Sequence, residues 1–312
     1  MEFAAGVDFG GSSAKVGLVD RAGGILAKET VPINASEEFE RIVVPVESRI
    51  QALAERHAAK GRLIAVGIGT PGFIEEGSGT IVGGCENIPA LQGRSIQEHM
   101  GKAIGVPAFA DNDANCAAAG ELAFGAGRRF SNFSFVTLGT GVGGGLVLNR
   151  RLFRGARGFA AEIGHMCLDP NGLQCNCGSR GCLEQYASGP AIVRLYQEKR
   201  RKRELAAPAL SPKQIADRAR EGDRLACETF GETGRWIAQA LGTLLNLLNL
   251  EACILGGGIS EAGDIILEPV RSQLPDFIWP IVGAGVSIIA AQLLNEAGIL
   301  GAAAQAMERL EG

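Results

Sequence analysis

The sequence predicts an α/β fold of two domains with a cleft between them. Length is the first reason, since 312 residues suit two domains of ordinary size. Alternation is the second: strand-like apolar runs are interleaved with helical patterns along the chain. The third is an internal echo. A strand, a glycine turn and a second strand occur near the start and again about 130 residues later, as a duplicated unit would give. The expected division is a small α/β domain, residues 1–114 plus 295–312, and a large α/β domain with a metal loop, residues 115–294.

The elements follow in order. Residues 3–9 read as a strand ending at Gly10-Gly11, residues 16–20 as a second strand, and residues 25–32 as a third after the turn Arg21-Ala22-Gly23-Gly24. Residues 37–60 have helical apolar spacing, and residues 63–69 form a short buried strand broken by Thr70-Pro71-Gly72. A helix over 96–104, a strand over 107–111 and an alanine-rich helix over 113–124 complete the first half. The second half opens with a strand over 132–138, a glycine turn over 139–145 and a strand from 146. Helices are expected over 189–203, 211–220, 223–248 and 295–310, with a buried strand over 252–255 closed by Gly256-Gly257-Gly258. The basic run 199–203 reads as a solvated helix end.

Composition excludes several classes. Apolar residues make up 46% of the chain, which supports a sizeable core, and a net charge of −4 gives no global pull toward nucleic acid or an anionic membrane. Cys85, Cys116, Cys167, Cys227 and Cys253 are scattered and read as small buried residues, not a disulfide framework. Met1-Glu2-Phe3 runs straight into a strand, and no apolar run is long and clean enough to span a bilayer, so a cytoplasmic location is expected.

The densest chemistry lies between Glu162 and Glu184. His165, Cys175, Cys177 and Cys182 supply one nitrogen and three sulfurs, the donor set of a tetrahedral structural Zn²⁺ site with no open position. Glu162 and Glu184 flank it, and carboxylates suit the adjacent hydroxyls of a neutral polyol such as a sugar. Two glycine turns offer backbone N–H groups to phosphate oxygens. In the first, Asp8 could hold Mg²⁺ through water, Gly10 and Gly11 open the backbone, Ser12 and Ser13 add hydroxyls, and Lys15 adds charge. No helix follows it, so it is not a Walker A loop. The second, 139–145, has five glycines in seven residues, with Thr140 and Gly141 placed for a phosphate. Asp111-Asn112-Asp113 sits between a strand end and a helix start. Asn112 or Asp113 is either a simple N-cap or, for Asp113, a proton acceptor from a substrate hydroxyl with Asn112 orienting its neighbours. The run Gly256-Gly257-Gly258 would let an adenine or ribose ring lie close, with Gly256 and Gly257 the first candidates.

These residues resemble the ROK family of sugar kinases, and within it the bacterial glucokinases. The resemblance covers nearly the whole chain. Asp8-x-Gly-Gly-Ser-x-x-Lys15 is similar to the first phosphate motif, which more often has Thr at the position of Ser12. Asp111-Asn-Asp-Ala-Asn115 resembles the segment carrying the catalytic aspartate, which falls on Asp113. Gly139-Thr-Gly-Val-Gly-Gly144 resembles the second phosphate motif, and Glu162 to Glu184 resembles the family's signature. One departure is Asn249-Leu250-Glu251, where the family often has a proline before the last strand.

The resemblance implies a ribonuclease H-like, actin/hexokinase-type fold closing over sugar and ATP–Mg²⁺, a homodimer, and ATP-dependent phosphorylation of glucose at the 6-hydroxyl with Asp113 as base. It puts sugar contacts on Asn112, Asp113, Glu162, His165 and Glu184, and less directly on Gly72, Asn87 and Gly141. Kinases for N-acetylglucosamine, N-acetylmannosamine, fructose or allose stay open, as do polyphosphate as donor and a non-catalytic sugar-sensing regulator. Some relatives carry a DNA-binding module before the first phosphate motif. Only seven residues precede Asp8, so neither that module nor a nucleic-acid partner is expected.

Overall fold

The computed structural model describes residues 1–203 and 210–311. The first elements are β1 Glu2–Phe9, β2 Ser13–Asp20, β3 Ile25–Pro32, α1 Phe39–Arg56, β4 Arg62–Thr70, β5 Phe73–Ile74 and β6 Ile81–Gly83. Next come α2 Ile96–Ile104, β7 Ala108–Asn112, α3 Asp113–Phe124, β8 Phe133–Leu138, β9 Val142–Leu148 and β10 Arg151–Leu152. The chain finishes with α4 Glu184–Ala187, α5 Gly189–Arg201, α6 Pro212–Arg220, α7 Arg224–Leu248, β11 Ala252–Gly256, α8 Asp264–Gln273, α9 Pro280–Gly283, β12 Ser287–Ala290 and α10 Ala297–Glu311.

Two units form. One comprises Met1–Arg129, Leu146–Ala160 and Asn295–Gly312; the other comprises Phe130–Gly145 and Ala161–Leu294. A boundary at 114 would cut α3, whereas the first unit keeps that helix whole. The reason is its packing on α10: a Cβ added to Gly301 would lie 1.6 Å from the Cys116 carbonyl oxygen and 2.5 Å from the Gly120 nitrogen. On the sheet side, a Cβ on Gly67 would lie 1.8 Å from the Ala302 carbonyl oxygen. Helix α10 is thus held backbone-close between the sheet and α3.

The sheet of the first unit has the order β3-β2-β1-β4-β7, with the expected antiparallel meander β1–β2–β3 and parallel pairs β1–β4 and β4–β7. Phe3 and Val7 of the central strand β1 are fully buried in one core with Val43, Val46 and Ile68. The register sets Asp8 opposite Gly69, and Gly69 opposite Asp111. Two acidic residues therefore sit at the carboxyl ends of parallel strands, two strand spacings or about 10 Å apart. Such ends are where open α/β sheets bind ligands.

The second sheet runs β10-β9-β8-β11-β12, repeating the third-second-first-fourth-fifth order of the first. The duplication read in the sequence is present as sheet topology. Strands β8, β11 and β12 are parallel, and Thr137 pairs with Gly256, so the turns after β8 and β11 start side by side. Strand β9 begins at Val142, inside the run expected to be all turn. Elements β5, β6, β10, α4, α9 and β12 were not expected; each has two to four residues, too few to show a period. Cys85, Cys116 and Cys253 are buried as expected, but Cys167 and Cys227 are exposed. Among the described residues no helix is long and apolar enough to cross a membrane.

Gly301→Ala should force α10 away from α3. We expect a loss of about 3 kcal/mol of stability, read as a lower midpoint in urea unfolding.

Candidate active site and metal centre

In the first unit, the turn after β1 is closed by the Gly10 N–H donating to the Ser13 carbonyl at 2.9 Å, leaving Gly10, Gly11 and Ser12 exposed. Asn87 lies beside Gly11, whose added Cβ would come within 3.8 Å of the Asn87 carbonyl oxygen. Lys15, expected to offer a charge to phosphate, meets Asp8 across the hairpin at 3.3 Å. The register of β1 and β2 pairs these two residues directly, which is why they meet.

Asn112 is the N-cap of α3. Its Oδ1 accepts from the N–H groups of Ala114 (2.9 Å) and Asn115 (3.3 Å), and its Nδ2 donates to the Gly72 carbonyl at 3.2 Å. That carbonyl is available because Gly72 sits at φ +106, a conformation side chains rarely adopt. Asn112 Nδ2 has a second N–H beyond the one given to Gly72. Asp113 opens α3 and its Oδ1 accepts from the Ala114 N–H at 2.8 Å. Behind it, burial pushes the Cys116 thiol well up, with Asp111, Asp113 and Asp8 adding in the same direction. Three carboxylates thus act on one buried point.

In the second unit, the segment carrying Glu162 and His165 lies directly on β9. A Cβ on Gly164 would fall 1.9 Å from the Val142 carbonyl oxygen, and one on Gly144 would fall 2.3 Å from the Ala161 carbonyl oxygen. Glu184, the first residue of α4, accepts the Val142 N–H through Oε2 at 3.0 Å. The same oxygen lies 2.5 Å from where a Gly141 Cβ would be, so Gly141 admits Glu184 to the turn. Among the described residues Oε1 has no such bond. Glu162 is exposed, yet the protein around its carboxylate raises its pKa by desolvation; His165 opposes the shift and Glu184 adds to it.

His165, Cys175, Cys177 and Cys182 come together with all ligand atoms within 4.8 Å of one another. His165 Nδ1 is 3.6 Å from Cys175 Sγ, and Cys177 Sγ is 3.6 Å from Cys182 Sγ. Two sulfurs each about 2.3 Å from one tetrahedral metal would be about 3.8 Å apart, so the cluster fits such an ion. As free thiols, Cys177 and Cys182 are pulled in opposite directions. Burial pushes Cys182 up to about 12, while the Ser179 N–H, first among several groups, lowers Cys177. A divalent cation would favour the thiolate forms together.

The second unit also holds a cavity of about 710 Å³, within the range of small-molecule sites. Gly139, Thr140 and Gly258 line one side; Pro190, Pro212 and Lys213, from the first turns of α5 and α6, line another. Ser188 and Ser211 cap those helices, and Phe230 and Ile259 add apolar wall. Of the third glycine run, Gly256 packs against the Phe135 ring, with its added Cβ 2.6 Å away, and Gly257 packs on Leu138. Of the three glycines expected to lie near a nucleotide, Gly258 is the one that lines the cavity.

Sequence comparison matches the description "ROK family" to residues 4–309. The chain belongs to the ROK family. The glucokinase of Thermotoga maritima is 38% identical over 98% of this chain and 98% of its own length. The xylose repressor of Bacillus subtilis is 33% identical over 77% of this chain and 60% of its own length. A solved ROK family glucokinase from Streptomyces griseus, in complex with glucose and AMPPNP, matches 98% of this chain and 99% of that chain. It is 34% identical with a TM-score of 0.82. The ribonuclease H-like, actin/hexokinase-type α/β fold follows from these likenesses and the two sheets.

In this ROK chain the donor cluster was legible because its four members lie within eighteen residues. The cavity was not, because it is assembled from segments far apart in sequence. Ser188-Gly189-Pro190 and Ser211-Pro212 were usable signals, since serine followed by proline marks a helix start. Elemental analysis should find one tightly held divalent metal per chain. Cys175→Ser should lose it and lower the thermal midpoint.

Proposed function

We propose that the chain is an ATP-dependent hexose kinase that phosphorylates glucose at its 6-hydroxyl. The observation that carries this reading is the full-length likeness to a glucokinase whose structure was solved with glucose and AMPPNP. The local chemistry is consistent with it. Asn112 and Asp113 open a helix at a sheet's carboxyl edge, and a glycine turn borders a cavity of nucleotide size.

The 6-oxygen attacks the γ-phosphorus, the bond from that phosphorus to the ADP oxygen breaks, and the hydroxyl proton passes to Asp113. A carboxylate is a weak base, so it acts as the new O–P bond makes the hydroxyl acidic. Phosphoryl transfer asks the protein mainly for positioning and charge. Glu162 and the free Oε1 of Glu184 would accept sugar hydroxyls. His165 directs Nδ1 toward Cys175, so its Nε2 remains to donate to the sugar. Asn112 would donate its remaining N–H, and Gly72, Asn87 and Gly141 would shape the surroundings.

The turns after β1 and β8 would present N–H groups to phosphate, with Thr140 adding a hydroxyl and Gly258 bordering the base. Mg²⁺, when bound, neutralises phosphate charge, and Asp8 would hold it through water while Lys15 balances Asp8. Zn²⁺ on His165, Cys175, Cys177 and Cys182 would have four protein ligands and supply rigidity alone. A cytoplasmic homodimer belongs to the same proposal.

The match to a xylose repressor favours a second reading, a sugar sensor without catalysis. One variant separates the two. Asp113→Asn should lower kcat on the order of 10³-fold, with glucose binding by calorimetry kept within a few-fold. Near-wild-type turnover in that variant would remove Asp113 as base, and a wild type that binds sugar without transferring phosphate would be the sensor.

A further inference from the structure

Two carboxylates follow one another closely at the end of β7, and the reaction above uses only the second. Asp111 is 6% exposed, so it offers little surface to a substrate. Yet both of its oxygens are bonded. Its Oδ1 accepts from the Asn112 N–H at 2.8 Å and from Asn115 Nδ2 at 2.9 Å. Its Oδ2 accepts from Arg154 Nε at 2.8 Å, and Arg309 Nη2 stands 3.8 Å away. Arg154 in turn donates to Gln305 on α10, and Gln305 Nε2 reaches Cys116 Sγ on α3 at 3.6 Å.

The bonds made by Asp111 bracket Asp113. One oxygen holds the residue before Asp113 and the side chain two residues after it. The other oxygen is tied to Arg154, whose guanidinium is anchored to α10. A buried carboxylate is tolerable only when paired and hydrogen-bonded, and a pair of this kind resists small displacements because each partner is costly to leave alone. We propose that Asp111, locked by Arg154, is a positioning residue that fixes the first turn of α3 and thereby the direction of the Asp113 carboxylate. The proposal rests on Asp113 being the base of the kinase reaction.

The test uses Asp111→Asn, Arg154→Lys and the double variant Asp111→Asn/Arg154→Met, with Asp113→Asn as control. Each is measured for kcat and KM with glucose and ATP, for glucose Kd by calorimetry, and for thermal midpoint. Asp111→Asn should lower kcat on the order of 10²-fold, with glucose Kd within twofold of wild type. Arg154→Lys keeps the cation but loses the fixed fork, and should fall between the two. The double variant removes both charges and should recover part of the kcat lost in Asp111→Asn. A kcat within twofold of wild type in Asp111→Asn, with only the midpoint lowered, would make the pair a purely structural one and overturn the proposal. So would a loss confined to glucose affinity. If Asp111→Asn does not fold, an unchanged kcat in Arg154→Lys and in the double variant overturns it equally. Failure of the kinase reading is seen separately, as an inactive wild type or a fully active Asp113→Asn, and would take this proposal with it.

Discussion

Backbone brought closer than any side chain would permit is the constraint on which both units depend. In the first unit, α10 meets the sheet at Gly67 and meets α3 at Gly301, so the helix that begins with Asp113 has its position set by main-chain contact. In the second, Gly144 and Gly164 let the segment of Glu162 and His165 lie on β9. Close-packed main chain relaxes little, because there are no rotamers to change. A chain with 45 glycines loses much entropy on ordering, and this rigidity at the functional residues is what the loss supports.

The polar groups then divide the remaining work. Asn112 caps α3 and holds Gly72; Glu184 holds Val142 with one oxygen and keeps the other. Each is half structural and half available, so a ligand held there, as proposed above, would have its pose tied to the turn beside it. Lys15 and Asp8 show the same economy, since neutralising each other keeps either charge from being stranded at the strand ends. The donor cluster of His165 and three cysteines adds a fixed point within the loop that carries Glu162 and Glu184.

Much of this was readable from the sequence where the signal was local. Helix α3 was placed at its true bounds because Asn112 is a strong N-cap and an alanine-rich run follows. The meander and the two glycine turns were readable from alternation and turn residues, and the cluster of His165 and three cysteines from spacing. What the sequence hid was non-local. The start of β9 was taken for a turn because glycine runs usually break strands, yet Gly143 to Gly145 lie within the strand and Gly144 makes room for Ala161 and Ile163. Gly256 looked ligand-facing from its neighbours, but the ring of Phe135 occupies its open side. The Asp111–Arg154 pair spans 43 residues and leaves no periodic trace.

The central claim is that this chain moves the γ-phosphoryl group of ATP to the 6-hydroxyl of glucose. Incubation with ATP, Mg²⁺ and glucose, followed by proton–phosphorus correlation NMR of the product, tests it most directly. The account predicts phosphorus coupled to the C6 protons and ADP formed in equal amount. Phosphate on the anomeric carbon, or no transfer to glucose or to any other hexose, would contradict it.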